Sequence, residues 1–194
     1  MTDNQDRINE LLLEAEELYD LDNLYKSIQV YKQVLALDKN NIAALISISD
    51  CFIKMKLDTE AKEYARRAYS LHGTENDMAT VNYSCILINC KDYSKAIEIL
   101  EKEKSNNSVN HLIFNNLGYC YFLTKQYVNA LDNYNISIIL EENNPLAYCN
   151  RGNLKYSIFK DADGIEDLRK AQAYGDFEAA MILQNIVKEK SLLS

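Results

Sequence analysis

The sequence predicts an all-α fold assembled from helix–turn–helix units of about 34 residues. Helix breakers are scarce, with one proline and five glycines among 194 residues, and this favours helices joined by short turns. A small residue also returns at intervals of 34, 35, 34 and 34, at Ser27, Ala61, Ala96, Ala130 and Gly164. Around each of them apolar residues recur at i, i+3, i+4 and i+7, the spacing of an amphipathic helix.

Each of these small residues opens the second helix of a unit, and a first helix precedes it. The first helices are predicted at residues 5–20, 41–55, 76–90, 109–124 and 145–158. Short polar segments separate the units. One of them ends with Asn144 before Pro145, a favourable helix start, because Asn accepts from an orphan amide and Pro fits the first turn.

We therefore expect the units to form a single domain over residues 1–194. The five repeats run over about 8–41, 42–76, 77–110, 111–144 and 145–178. A helix at about 177–190 follows, with Phe177, Ala180, Met181, Ile186 and Val187 forming an apolar face. We expect this helix to cover the last repeat as a cap.

Charge and composition exclude several classes of partner. The net charge is −8 and the pI is about 4.9, which disfavours nucleic acid and anionic membrane surfaces. The N-terminal residues lack the basic region and apolar core of a secretory signal. No segment reaches the roughly 18 to 20 apolar residues of a membrane span. We therefore expect a cytoplasmic protein that binds neither nucleic acid nor membrane.

The cysteines support the same location. Five of them, an odd number, lie inside helical patterns: Cys51, Cys85, Cys90, Cys120 and Cys149. We interpret them as reduced, mostly buried thiols, with a disulfide framework as the alternative.

Nothing in the sequence indicates catalysis, a metal site or a cofactor. His72 and His111 are not spaced with the cysteines as zinc ligands would be. There is no phosphate-binding Gly-rich loop and no nucleophile elbow. Adjacent acids such as Glu16 and Glu17 are explained by a solvated helix face rather than by acid–base chemistry. We predict a protein that is not an enzyme and has no cofactor.

The repeating unit resembles the tetratricopeptide repeat (TPR) over about residues 5–175. The fourth unit carries most of the resemblance, with residues at the family's consensus places: Phe114, Leu117, Gly118, Tyr121, Tyr127, Ala130, Tyr134 and Ser137. The fifth keeps Tyr148, Gly152, Leu168 and Ala171 but has Gly164 where alanine is usual. In the first three units Ala15, Ser49 and Ser84 replace the glycine, and this position stays small because the two helices of a repeat approach closely there.

The resemblance implies a right-handed superhelical solenoid whose first helices line a concave groove. The sixth residue of successive repeats faces that groove, and three of these residues are asparagines, Asn82, Asn116 and Asn150. An amide both donates and accepts hydrogen bonds, so such a ladder can hold an extended peptide by its backbone. It resembles the asparagine ladder in the TPR groove of O-GlcNAc transferase. The alternative is that Asn is only a consensus residue of the repeat.

The predicted peptide-binding residues also include neighbours of the ladder on the first helices. These are Asn115, Tyr119, Asn153, Asn89, Asp50, Ser47, Phe122 and Tyr156. Since each hydrogen bond contributes only about 0.5–1.5 kcal/mol and micromolar binding needs about 8 kcal/mol, three asparagines cannot suffice. Pockets around Tyr119, Phe122 and Tyr156 would supply the rest.

A second TPR binding mode is excluded. The carboxylate clamp for Hsp70 and Hsp90 tails needs basic residues on successive first helices, and here those places hold residues such as Leu12, Met78 and Asn82. We therefore predict a non-catalytic adaptor or scaffold that binds an extended segment of a partner protein. The alternatives are a chaperone-like holder of partner subunits, or a structural subunit that uses its convex face or its ends. The oligomeric state stays open.

Overall fold

A computed structural model describes residues 2–71, 77–106 and 108–192. In these ranges the chain is all-α and contains no β-strand. The α-helices, numbered α1 to α11 in chain order, are Thr2–Asp20, Leu24–Leu37, Ile42–Lys54, Asp58–Leu71, Asp77–Asn89, Tyr93–Ser105, His111–Leu123, Tyr127–Leu140, Pro145–Leu154, Asp163–Ala173 and Phe177–Leu192. The predicted helix–turn–helix alternation is confirmed, and the predicted ends of the first helices lie within a few residues of those observed.

The chain divides into two compact units, Met1–Ala96 and Ile97–Ser194, and α6 contributes residues to both. In the first unit, Tyr31 and Val34 of α2 pack with Leu11 and Ala15 of α1. In the second unit, a cluster around Leu168 and Tyr148 includes residues of the C-terminal helix α11. Each unit therefore has an apolar core of its own.

The turn inside each repeat is closed by a residue in the left-handed conformation. These residues are Asp22, Lys56, Lys91, Lys125 and Lys160, with φ between 57° and 62°. At Lys125, for example, the amide of the next residue, Gln126, donates to the Tyr121 carbonyl at 2.8 Å, and the Lys125 amide donates to Phe122 at 3.0 Å. This is a Schellman cap, which usually has glycine at the left-handed position.

Asparagines at the repeat boundaries begin three of the first helices. Asn41, Asn110 and Asn144 each accept a backbone N–H of the following first turn, as predicted for Asn144. The Asn144 amide also donates to Ser137 Oγ at 3.1 Å and approaches His111 Nδ1 at 3.0 Å. Part of the asparagine content of this chain is therefore capping chemistry.

The close approach predicted at the small position is confirmed in the fourth repeat. A Cβ added to Gly118 would lie 2.7 Å from the Tyr134 ring and 3.2 Å from the Ala130 carbonyl oxygen. The absent side chain makes room for Tyr134, which is 1% exposed. Ala15, Ser49 and Ser84 are likewise fully buried.

In the fifth repeat the two helices approach each other even more closely, and the first of them is irregular. A Cβ on Gly152 would lie 2.8 Å from the Gly164 carbonyl oxygen, and a Cβ on Gly164 would lie 2.6 Å from that of Gly152. Its first helix ends in a π-helical turn, Lys155–Phe159. This helix has one residue more than its predecessor between the glycine and the left-handed lysine, eight positions instead of seven. The π turn absorbs that extra residue.

Candidate functional site

Two of the predicted groove residues in the first unit, Asn82 and Asp50, hydrogen-bond to each other. Asn82 is buried, donates to Asp50 Oδ1 at 2.6 Å and accepts from Ser49 Oγ at 3.1 Å. Burial raises the pKa of the Asp50 carboxyl to about 6, although the Asn82 amide and the charge of Lys54 act in the opposite direction. This cluster joins consecutive first helices through side chains that the sequence assigned to the peptide.

The other predicted residues of the first unit are dispersed. Ser47 is a hydrogen-bond partner of the Tyr31 hydroxyl, an interaction that lowers the pKa of Tyr31 against the larger effect of burial. Asn89 is exposed near the end of α5. The first unit therefore places Ser47 in a contact with the second helix of the preceding repeat and leaves Asn89 open to solvent.

In the second unit, two of the predicted amides pair with each other. The Asn150 Nδ2 atom donates to Asn115 Oδ1 at 3.0 Å. Asn115 is buried, while Asn150 and Asn116 are half-buried. This pairing leaves Asn150 Oδ1 and Asn115 Nδ2 as the remaining acceptor and donor of the pair.

These amides lie in the wall of a cavity of about 210 Å³ built by four helices of the second unit. Five of its seven lining residues are predicted binding residues: Asn115, Tyr119, Phe122, Asn150 and Asn153. The Tyr119 and Phe122 rings are nearly parallel, with an interplanar angle of 17° and centroids 6.5 Å apart. Tyr119 is 37% exposed, so the cavity opens to solvent on the side of α7.

The sixth lining residue, Tyr134 of α8, reaches the cavity from the second helix of the repeat. Burial raises the pKa of its phenol. Its hydroxyl has no hydrogen-bond partner among the described residues, although most buried polar groups in proteins have one. Tyr31 occupies the same position in the first repeat, four residues after the small residue that opens the second helix. The Tyr31 hydroxyl has Ser47 as its hydrogen-bond partner. The residue corresponding to Ser47 in the second unit is Asn150, which turns to Asn115.

The seventh lining residue brings a negative charge to the cavity. Glu178 lies in the first turn of α11, and its side chain is exposed. It forms no ion pair with another described residue. Burial, followed by the carboxylates of Asp176 and Glu178, raises the pKa of the Cys149 thiol to about 12, so that thiol is neutral and the carboxylates set the local charge.

The remaining predicted residues lie elsewhere. Tyr156 belongs to the π turn and packs against the core of the second unit, where its backbone amide limits the space around Gly164. Tyr134 and Glu178 line the cavity but were not among the predicted binding residues. The sequence contained one indication for Tyr134: it has a hydroxyl at a repeat position where the third and fifth repeats have leucine, Leu100 and Leu168.

Other site chemistries find no support in the described residues. No three His, Cys, Asp or Glu side chains in residues 2–71, 77–106 and 108–192 come together as a metal site would require. His72 lies outside the described residues, while the Nδ1 atom of His111 lies 3.0 Å from Asn144 Nδ2 at a repeat boundary. All five cysteines are thiols, three of them buried. Within the same ranges, no helix has the length and apolar character to cross a membrane.

Comparison with known proteins gives structural relatives only. No protein-family model and no curated protein matches the sequence. The chain is similar to the crystal structure of PilW, described as a widely conserved type IV pilus biogenesis factor (TM-score 0.77, 16% identity, covering 96% of this chain and 94% of PilW). It is also similar to PilF of Pseudomonas aeruginosa (TM-score 0.74, 17% identity, covering 98% and 95%).

A third relative is YrrB, described as a TPR protein with an unusual peptide-binding site (TM-score 0.63, 18% identity, covering 90% of each chain). Identities this low establish the fold and carry no function with them. The 34-residue register, the close approach at the small position and these likenesses together show that the chain has the tetratricopeptide-repeat fold.

Proposed function

We propose that this protein is a non-catalytic adaptor that binds an extended segment of a partner protein along the first helices of its second unit. The observation that supports this most is the cavity between α7, α8, α9 and α11. Five predicted binding residues line it, and it offers amide, hydroxyl and carboxylate groups beside two aromatic rings. Polar groups that fix orientation beside apolar surface are what a specific ligand site requires.

The hydrogen bonding of the asparagines refines the proposal. Asn82 is buried and occupied inside the first unit, so it contributes to the scaffold more than to the peptide. Asn153, in contrast, lines the cavity and forms no side-chain hydrogen bond to another described residue. The groove residues that hold the segment are therefore Asn115, Asn150 and Asn153, with Tyr119 and Phe122 supplying apolar contact.

The YrrB description, a TPR protein with a peptide-binding site, is consistent with a peptide ligand here. An extended segment rises about 3.3 Å per residue, and neighbouring helices pack roughly 8–10 Å apart. One first helix therefore passes about every third residue of the segment. The protein partner, the scaffold role and a cytoplasmic location, where the five thiols would stay reduced, all belong to this proposal.

The test is a peptide array probed with the full chain and with two variants that differ only in position. Asn153→Ala removes a cavity amide, and Asn129→Ala removes an exposed amide of α8 that donates to Gln126 Oε1 at 3.3 Å. We expect wild type and Asn129→Ala to bind the same peptides and Asn153→Ala to lose about two- to tenfold in affinity, the effect of one hydrogen bond. Peptide binding that is equally weak or equally strong in all three proteins would contradict the proposal.

The exposed surface of α11 supports a second candidate, a structural subunit that assembles through its C-terminal end. Phe177, Met181 and Val187, which the sequence assigned to the face covering the last repeat, are instead exposed, Phe177 at 78%. The α11 residues that pack in the core are Ala179, Ile182, Leu183 and Ile186. Phe177 and Met181 lie one turn apart on the same face of α11, and exposed apolar side chains grouped in this way mark interaction sites. Sedimentation of the full chain with a Phe177→Ser, Met181→Ser double variant as control tests this candidate, and a monomer at micromolar concentration would contradict self-assembly.

A further inference from the structure

The cavity of the second unit has the size of one side chain. Its volume of about 210 Å³ equals the liquid volume of about seven water molecules at roughly 30 Å³ each. An extended backbone passing over its mouth could insert a single long side chain and no more. The cavity is therefore suited to determine which residue stands at one position of the bound segment.

The base of the cavity contains a polar group that lacks a partner. The Tyr134 residue is 1% exposed, and no described residue hydrogen-bonds its hydroxyl. Gly118 leaves the space that the tyrosine ring occupies, since a Cβ at that glycine would lie 2.7 Å from the ring. A buried hydroxyl left unpaired lowers stability, so its position indicates a ligand atom that hydrogen-bonds to it.

The charge around the cavity favours a cation. Glu178 is the charged residue of the lining, and neither lysine nor arginine is part of it. A carboxylate in the first turn of a helix is also favoured by the helix dipole, so Glu178 would not indicate a ligand by itself. Asn150 Oδ1, which its bond to Asn115 leaves available, adds a neutral acceptor. Hydrogen-bond acceptors at both the base and the mouth match a ligand group with several donors.

The aromatic wall distinguishes between the two cationic side chains. The nearly parallel Tyr119 and Phe122 rings offer flat faces, and a planar guanidinium stacks on such faces whereas an ammonium is a compact point charge. A guanidinium also has five N–H donors for the separate acceptors. We infer that the cavity is a specificity pocket for one arginine side chain of the bound segment, an inference that rests on the proposed function.

The pocket can be tested without knowing the partner. The probe is arginine blocked at both ends, Nα-acetyl-arginine N-methylamide, titrated into the ¹⁵N-labelled full chain, with the corresponding blocked lysine and blocked citrulline as comparisons. We expect saturable shifts of the Asn115, Asn150 and Asn153 side-chain amide signals with arginine, several-fold weaker binding of lysine, and none of citrulline in the same range. Equal binding of citrulline, or absence of saturable shifts with arginine, would overturn the inference.

Three variants relate the binding to named groups. Glu178→Gln should weaken blocked arginine about two- to fivefold, the effect of an exposed ion pair, whereas Glu166→Gln, also a first-turn acid but on α10, should leave it unchanged. Tyr134→Phe should weaken it about two- to tenfold by removing the base hydroxyl. Arginine binding that is unaffected by both Glu178→Gln and Tyr134→Phe would show that the probe sits elsewhere and would overturn the inference.

The peptide array separates this inference from the proposed function. If peptides bind through Asn153 but those with arginine are not preferred over those with glutamine at the same position, the adaptor function stands and the arginine pocket is refuted. If no peptide binds while blocked arginine does so with the variant effects above, the pocket is supported and the peptide function is refuted.

Discussion

Replacing Gly164 with alanine should destabilise the second unit, even though alanine is the usual residue at this place in the repeat. The added Cβ would lie 2.6 Å from the Gly152 carbonyl oxygen and 2.7 Å from the Tyr156 amide nitrogen. Both neighbours are backbone atoms, so α9 and α10 would have to separate. Overpacking of this kind costs about 1–3 kcal/mol, and the higher helix propensity of alanine recovers at most about 1 kcal/mol. We expect a net loss of about 1–2 kcal/mol.

The preceding repeat provides a control in which the substitution is reversed. Ala130 occupies the equivalent position and is fully buried, so its methyl group is part of the packed core. Ala130→Gly should lower stability by about 1 kcal/mol, because glycine is less favourable inside a helix and a packed methyl is removed. At this repeat position, alanine should therefore be more stable than glycine in the fourth repeat and less stable than glycine in the fifth.

The assay is urea unfolding followed by circular dichroism at 222 nm, with the midpoint and slope compared among wild type, Gly164→Ala and Ala130→Gly. An unchanged slope with lower midpoints for both variants is the expected result. If Gly164→Ala is as stable as wild type or more stable, the close approach of the two glycines does not determine the helix separation, and the reasoning is refuted.

Three further predictions follow from individual contacts. Tyr134→Phe should leave the free energy of unfolding unchanged or raise it by up to about 1 kcal/mol, because no protein hydrogen bond is lost and a buried hydroxyl without a partner is removed, whereas Tyr121→Phe should cost about 1 kcal/mol, because Tyr121 donates to Glu101 Oε1 at 2.9 Å; urea midpoints compare the two, and equal losses would contradict the unpaired state of Tyr134. Lys125→Gly should raise stability by about 0.5–1 kcal/mol by relieving a left-handed φ of 62°, as a thermal melt would show, and a lower melting temperature would contradict it. Burial raises the pKa of Asp50 in the folded state to about 6, above the ordinary aspartate value of 3.8. The folded state therefore binds more protons between these pH values, and the Asp50 contribution to stability falls by about 2–3 kcal/mol as pH rises through this window. The stability difference between Asp50→Asn and wild type should therefore grow from pH 4 to pH 7, and a difference independent of pH would refute this.

The repeat register could be predicted because helix packing requires a small residue at the same position of every repeat. A small residue returns every 34 or 35 positions since two helices cross there, and Gly118 against Tyr134 shows the spacing that requires it. The left-handed lysines were not predicted, because a cap of this kind normally shows itself through glycine. The π turn was missed for a different reason. The extra residue in Lys155–Phe159 is balanced by a turn one residue shorter, so the interval from Ala130 to Gly164 stays at 34.

The candidate site was only partly predictable. Helical spacing places Asn115, Tyr119 and Phe122 on one face of α7, and the cavity contains all three. Spacing does not tell whether an amide will point at a ligand or at another amide. Asn82 finds Asp50 and Ser49, and Asn150 finds Asn115, because such pairs form wherever two polar side chains on neighbouring helices come within reach. Those partners depend on the three-dimensional arrangement, which a single sequence does not contain.

The distinction between scaffold and binding residues therefore changes in the fourth repeat. Gly118 and Tyr134 recur at consensus places and were assigned to packing, whereas the asparagines were assigned to binding. In the structure Asn150 and Asn115 use one donor and one acceptor on each other, and the buried Tyr134 of the cavity lining retains an unpaired hydroxyl. The glycine allows the ring to reach that place. A residue kept for packing can thus deliver the polar group that a ligand meets, and Gly118→Ala, which would displace the Tyr134 ring, should weaken blocked arginine as Tyr134→Phe does.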